Sequence, residues 1–130
     1  MNCTEGWFYF EPTHSCYGHD GYNYRYGHWA DAEQYCESVN AHLISLHSYD
    51  ETRFLTTVIS FTGGVPWTGL TSNDNEVSWK WSDGSPFDYR PWASGHPYRN
   101  VSSCAYLYLN GLYDVDCISN YNFVCKKPAV

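Results

Sequence analysis

Charge is scarce in this sequence. Charged residues are 16% of the 130, against about 25% in an average soluble domain. Only seven are basic (Arg25, Arg53, Lys80, Arg90, Arg99, Lys126, Lys127), and they are scattered apart from the last pair. A polyanion binder needs clustered Lys and Arg to release counterions, so nucleic acid is excluded as a partner and the formal charge of −7 is read as a solubilising surface. No apolar run approaches the roughly 18 residues of a membrane span. There is no Gly-x-Ser-x-Gly elbow, no His-Glu-x-x-His and no phosphate loop, and no Cys-x-x-Cys zinc or redox spacing. Of the paired carboxylates, Asp50 with Glu51 belongs to a helix start and Asp114 with Asp116 has no partner motif. An enzyme is not expected.

What is present is aromatic and cysteine-rich. Aromatics reach 19%, ample to build one core in a chain of this length. Six widely spaced cysteines (Cys3, Cys16, Cys36, Cys104, Cys117, Cys125) read as three disulfides made in an oxidising, extracellular compartment. Arithmetic alone leaves fifteen connectivities open. Two glycosylation sequons, at Asn2 and Asn100, agree with secretion. Met1 is read as a start added to a mature chain.

Trp7–Phe10 reads as a strand closed by Pro12 and bracketed by Cys3 and Cys16. Trp29, Ala32, Cys36 and Val39 recur at helical spacing from about Trp29 to Asn40, with Asp31, Glu33, Glu37 and Ser38 on the other faces. Leu43–Leu46 suggests a strand. Ser48 and Glu51 form a capping box for a second helix, with Phe54, Leu55, Val58 and Ile59 as its buried stripe and Thr62-Gly63-Gly64 as its end. Trp67–Leu70, Val77–Trp81, Ala105–Leu109 and Phe123–Cys125 suggest strands, and Ser82–Asn100 is an irregular, Gly- and Pro-punctuated loop. Loops of that length are usually functional. Helices early and antiparallel strands late make an α+β domain.

These residues resemble the C-type lectin-like domain over essentially the whole chain. The matches fall in order: Gly6-Trp7, Ser15-Cys16-Tyr17, Trp29-Ala30-Asp31-Ala32-Glu33 with Cys36, His42–Ser48, Glu51, Phe54-Leu55, Trp67-Thr68-Gly69-Leu70, Trp79–Pro86, Trp92, then Cys104, Cys117 and Cys125. The resemblance implies one domain over 1–130, ordered from about 3 to 127, with a long loop at about 71–103. It also implies the bridges Cys3–Cys16, Cys36–Cys125 and Cys104–Cys117. The compact single-domain form and the His42–Ser48 stretch are similar to invertebrate members, including nematode ones.

Sugar-binding members hold calcium through a Glu-Pro-Asn or Gln-Pro-Asp triplet, an acid before the next cysteine and a Trp-Asn-Asp triplet. Matched on Pro97, this chain has His96-Pro97-Tyr98; Ser102 and Ser103 precede Cys104; matched on Cys117, the last triplet is Leu112-Tyr113-Asp114. Calcium wants six to eight oxygens, and only Asp114 remains at those positions. At a second family position only Glu76 matches, with Ser72 opposite an expected acid. The resemblance therefore implies a binding module that works without calcium, and no cofactor or metal is expected; Asp83, Asp88 and Asp116 are the acids an unusual loop could recruit.

The replacement residues are aromatic or hydrogen-bonding. His96, Tyr98, Arg99, Tyr113 and Asp114 are the candidate ligand contacts, in the loop 84–100 and the strand 106–114, for an extracellular glycan or protein receptor. Trp92 and Tyr89 are expected to fill the loop's own core, and a glycan at Asn100 would stand beside the site. The six histidines (14, 19, 28, 42, 47, 96) are expected to be surface or hydrogen-bonded residues rather than zinc ligands, His42 and His47 falling on opposite faces of a strand. Two other functions stay open: a lectin with a modified calcium site or a calcium-free one, and a structural extracellular protein in which the loop makes a homodimer; monomer and homodimer are both open as oligomeric states.

Overall fold

In the computed structural model, residues 3–19, 26–62 and 64–130 are described, without the side chains of residues 60–62. The Asn2 sequon and Gly63 of the second helix's stop signal lie outside them.

Two sheets share the chain. The first has the order β1-β2-β10-β4, from Trp7–Phe10, Ser15–Gly18, Cys125–Pro128 and His42–Leu43. The second has the order β3-β9-β5-β7-β8, from Tyr26–Gly27, Tyr121–Phe123, Pro66–Ser72, Ser103–Tyr108 and Gly111–Val115, with β6 (Lys80–Trp81) also paired to β5. β5 and β9 run parallel; the other pairings are antiparallel. Helices α1 (Trp29–Ser38) and α2 (Tyr49–Thr62) complete the α+β architecture.

All three disulfides have the pairing that the resemblance implied. Cys36–Cys125 ties α1 to β10 across 89 residues, a closure worth about 4–5 kcal/mol in the chain-entropy account. It lies in a core of Trp7, Ala32, Leu43, Trp67 and Phe123, while a second core gathers Tyr17, Ile44, Leu55, Leu70, Trp81 and Leu107.

Several expectations need correction. Leu43–Leu46 is not one strand: only His42–Leu43 pairs, and Ile44–Leu46 is buried chain passing between the sheets. Val77–Trp81 shrinks to Lys80–Trp81, because Val77 is exposed in the turn before it. Phe123 and Cys125 belong to different sheets, the chain crossing from one to the other at Val124. Glu33 is buried rather than outward-facing, because Leu43 N–H and the Ser82 hydroxyl both bond it. The capping box is displaced: Ser48 Oγ accepts Glu51 N–H, but Glu51 Oε1 reaches past Ser48 to accept His47 N–H.

Glu51 is fully buried, its Oε2 receiving the Tyr17 hydroxyl and, at 2.7 Å, Lys126 Nζ. The same ammonium donates to Ser45 O and Oγ, so its charge and its hydrogens are both used. Burial, followed by the Glu51 charge, raises the Tyr17 hydroxyl far above its ordinary range.

Candidate functional site

The long loop is packed from within. Trp92 meets Trp79 and Phe87 edge-on at ring separations of 5.0 and 6.0 Å, Phe87 meets Trp81, and Arg90 lies over the Phe87 ring. Tyr89 also packs against this cluster. Trp92 and Tyr89 thus face inward as expected, against the core that Phe87 and Trp81 share with Ile44, Leu70 and Leu107. An isolated bridge from Trp92 to Leu112 fastens the loop to β8, and His47 bonds Asp88 and Ser85 on its other side.

The remainder of the loop closes over Asp114. The alternation of β8 turns this carboxylate inward while Tyr113 and Val115 face the other way. Asp114 Oδ1 accepts His96 Nδ1–H at 2.7 Å, and Oδ2 accepts Tyr98 N–H at 3.0 Å and Arg99 N–H at 2.8 Å. Arg99 Nε also donates to Ser103 Oγ. Burial pushes the Asp114 carboxyl up, but the hydrogen bonds from His96, Arg99 N–H, Glu76 and Tyr98 N–H outweigh it and leave it below its ordinary value.

Glu76 stands beside it. Its Oε2 is buried with no hydrogen-bond donor in reach. Burial first, then a hydrogen bond to Asp114, raise its carboxyl from 4.5 to about 7; Ser103 and Arg99 oppose the shift and the Asp114 charge adds to it. Two acids and an imidazole thus meet in one cluster.

The donors present at these positions do not suit calcium. An imidazole nitrogen stands where the family triplet has an oxygen ligand, Tyr98 contributes its backbone N–H, and both Asp114 oxygens are engaged by internal donors. Ser103 is buried and donates to Val101 O, while Ser72 bonds Asp74. The other nearby acids are committed elsewhere: Asp83 to Ser45 and Ser85, Asp88 to His47, Asp116 to Ile118 N–H.

Around Asp114 the surface is aromatic. Cross-strand partners Tyr106 and Tyr113 stack at 5.1 Å, and Tyr106 stacks on Tyr121 at 4.7 Å. The His96 ring meets Tyr113 at 4.7 Å and Tyr98 at 5.0 Å. Tyr98 is 67% exposed and Tyr108 48%. The five predicted contacts His96, Tyr98, Arg99, Tyr113 and Asp114 therefore do converge, with Asp114 as the buried hub rather than a contact residue. Tyr106 and Tyr108 lie in the strand 106–114 already expected to carry the contact, and their alternation with Ala105 and Leu107 puts them on one face; Tyr121, stacked on Tyr106, is the ring outside that expectation. Asn100 is exposed two residues from Tyr98. His14, His28 and His42 bond Tyr9, Ser119 and Glu33 in turn, so the histidines do not converge on one another.

A family model described as the lectin C-type domain matches residues 27–127. One of the snaclec VP12 polypeptides of Daboia palaestinae is 33% identical, over 99% of this chain and 99% of its own length. Human Asialoglycoprotein receptor 2 is 34% identical over 84% of this chain, which spans 38% of that receptor. Among solved structures, the mouse scavenger receptor C-type lectin carbohydrate-recognition domain superposes with a TM-score of 0.84 at 31% identity, covering 98% of each chain. A calcium-independent type II antifreeze protein superposes at 0.85 and 25% identity, covering 98% of this chain and 95% of its own. The backbone fits both equally, so the side chains must discriminate.

Proposed function

This chain belongs to the C-type lectin domain family, and from that premise we propose that it is a secreted, calcium-independent binding module for an extracellular glycan or protein. The reading rests on one observation above all: both oxygens of Asp114, the last acid at the family's calcium positions, are bonded by His96, Tyr98 and Arg99 of the chain itself. The ligand meets the rim of Tyr98, Tyr108 and Tyr113, with Arg99 and His96 at its edge. Exposed tyrosines give contact area at low entropy cost and stack on sugar rings or on protein side chains alike. Support comes too from the calcium-independent antifreeze protein, a relative whose very similar backbone does without the ion. Three disulfides accord with an oxidising extracellular setting, and no helix among the described residues is long and apolar enough to cross a membrane.

A glycan-array screen of the oxidised domain, run in calcium and again in EDTA, tests this. Binding that persists in EDTA is the expected result; binding that vanishes would restore a calcium mechanism and overturn the proposal. A protein partner is the second reading. It is favoured by the full-length similarity to the snaclec polypeptide, whose name makes it one component of an assembly, and it predicts silence on the array with capture of a partner or of a second copy.

A further inference from the structure

We propose a zinc-class metal site at Glu33, Glu37 and His42, on the side of α1 and β4, separate from the Asp114 cluster. Glu33 and Glu37 lie one helical turn apart on α1, which stacks their carboxylates on one face. The chain turns after Ser38 and brings His42, the first residue of β4, against them. His42 Nδ1 is 2.6 Å from Glu33 Oε2, and one ligand atom from each of the three residues lies within 4.8 Å of the others.

The site has a fixed anchor. Glu33 is 7% exposed, and its Oε1 accepts Leu43 N–H at 3.0 Å and the Ser82 hydroxyl at 2.8 Å, which turns Oε2 toward His42. Such outer bonds orient ligands at metal centres. The two remaining groups can adjust, Glu37 being exposed and the His42 side chain 41% exposed. A buried carboxylate, an exposed one and an imidazole thus converge with no lysine or arginine bridging them among the described residues.

The chemistry selects the ion. One imidazole nitrogen and two carboxylate oxygens suit zinc, whose bonds of about 2.0–2.2 Å put tetrahedral ligands about 3.3 Å apart. The 2.6 Å contact has to open by about 0.7 Å, within reach of the two exposed side chains, and water completes the shell. Calcium, which takes oxygen ligands, is not favoured here. Zinc takes the place of the hydrogen between Nδ1 and Oε2, the neutral ring then carrying its one hydrogen on Nε2, and because acid competes with the ion for the ring, binding weakens in acid. Bound there, it clamps α1 to β4 beside Cys36–Cys125.

Calorimetric titration of the untagged, oxidised domain with zinc, with cobalt absorbance as a geometric report, is the test. One ion per chain, a tetrahedral cobalt spectrum and a raised melting temperature are expected. His42→Asn and Glu37→Gln, both at exposed side chains, should each weaken binding about tenfold or more while leaving the EDTA-treated domain unchanged. No binding at about 100 micromolar zinc, or binding at full strength in His42→Asn, would overturn the site.

Discussion

Two buried carboxylates in this molecule meet opposite surroundings. The Glu51 carboxylate faces an ammonium, a phenol and a backbone N–H inside the protein. Asp114 faces an imidazole, two loop N–H groups and a second acid, beneath a rim of exposed tyrosines. The first arrangement neutralises charge by pairing and serves the fold. The second solvates charge with the loop's own donors, so the carboxylate shapes the surface that a ligand would touch. A buried acid can therefore be a structural lock or a template for a loop, and its partners decide which.

Breaking the lock should have the largest effect. Lys126→Met leaves Glu51 buried and unpaired, which should cost about 3–5 kcal/mol in denaturant unfolding; a loss no larger than that of a surface change would dissolve the contrast. Acidity separates the two regions next. Asp114, held low, contributes stability above its ordinary value of 3.8 and loses it as the pH falls through its depressed value. Glu76, raised to about 7, contributes in full below its ordinary value of 4.5, and that contribution fades as the pH rises through about 7. The Asp114 cluster should thus be tightest in mildly acidic solution and loosen toward neutrality. Glu76→Gln should flatten the melting-temperature profile between pH 5 and pH 7.5, where the unmodified chain slopes downward from Glu76; equal slopes in both would remove Glu76 from the account. The smallest change in stability is expected for Tyr98→Ala, within about 0.5 kcal/mol because the ring is exposed. The same substitution should weaken ligand binding severalfold, and unchanged binding would move the contact surface away from this rim.

Much of the fold was legible because covalent and periodic signals are local. The helical spacing of Trp29, Ala32 and Cys36 gave α1 to within two residues of its end, and Ser48 with Glu51 marked the start of α2. The short strands were less legible. Val77–Trp81 reads as one run, yet only Lys80–Trp81 pairs, folding back on Leu70 and Thr71 of β5, while Val77 stays exposed in the turn between them. Phe123 and Cys125 read as one strand because alternation does not record a change of sheet. At the candidate site the presence of His96, Tyr98 and Tyr113 at positions where the resemblance places calcium ligands was visible in their identities. That His96 would turn its imidazole onto Asp114 was not visible, nor that Glu33 would be drawn inward by Leu43 N–H and Ser82.

By itself, then, the sequence determined the α+β frame with its six cysteines, the aromatic character of the loop and the identities of the residues at the family's calcium positions. The helices, the strands and the aromatic loop follow from residue type and near-neighbour spacing; the disulfide pairing came from the resemblance to the family. The tertiary structure decided which acids became hubs and which rings became a surface. Hydrogen bonds between residues such as Lys126 and Glu51, or His96 and Asp114, depend on elements brought together from separate parts of the chain, and local pattern carries no record of that meeting.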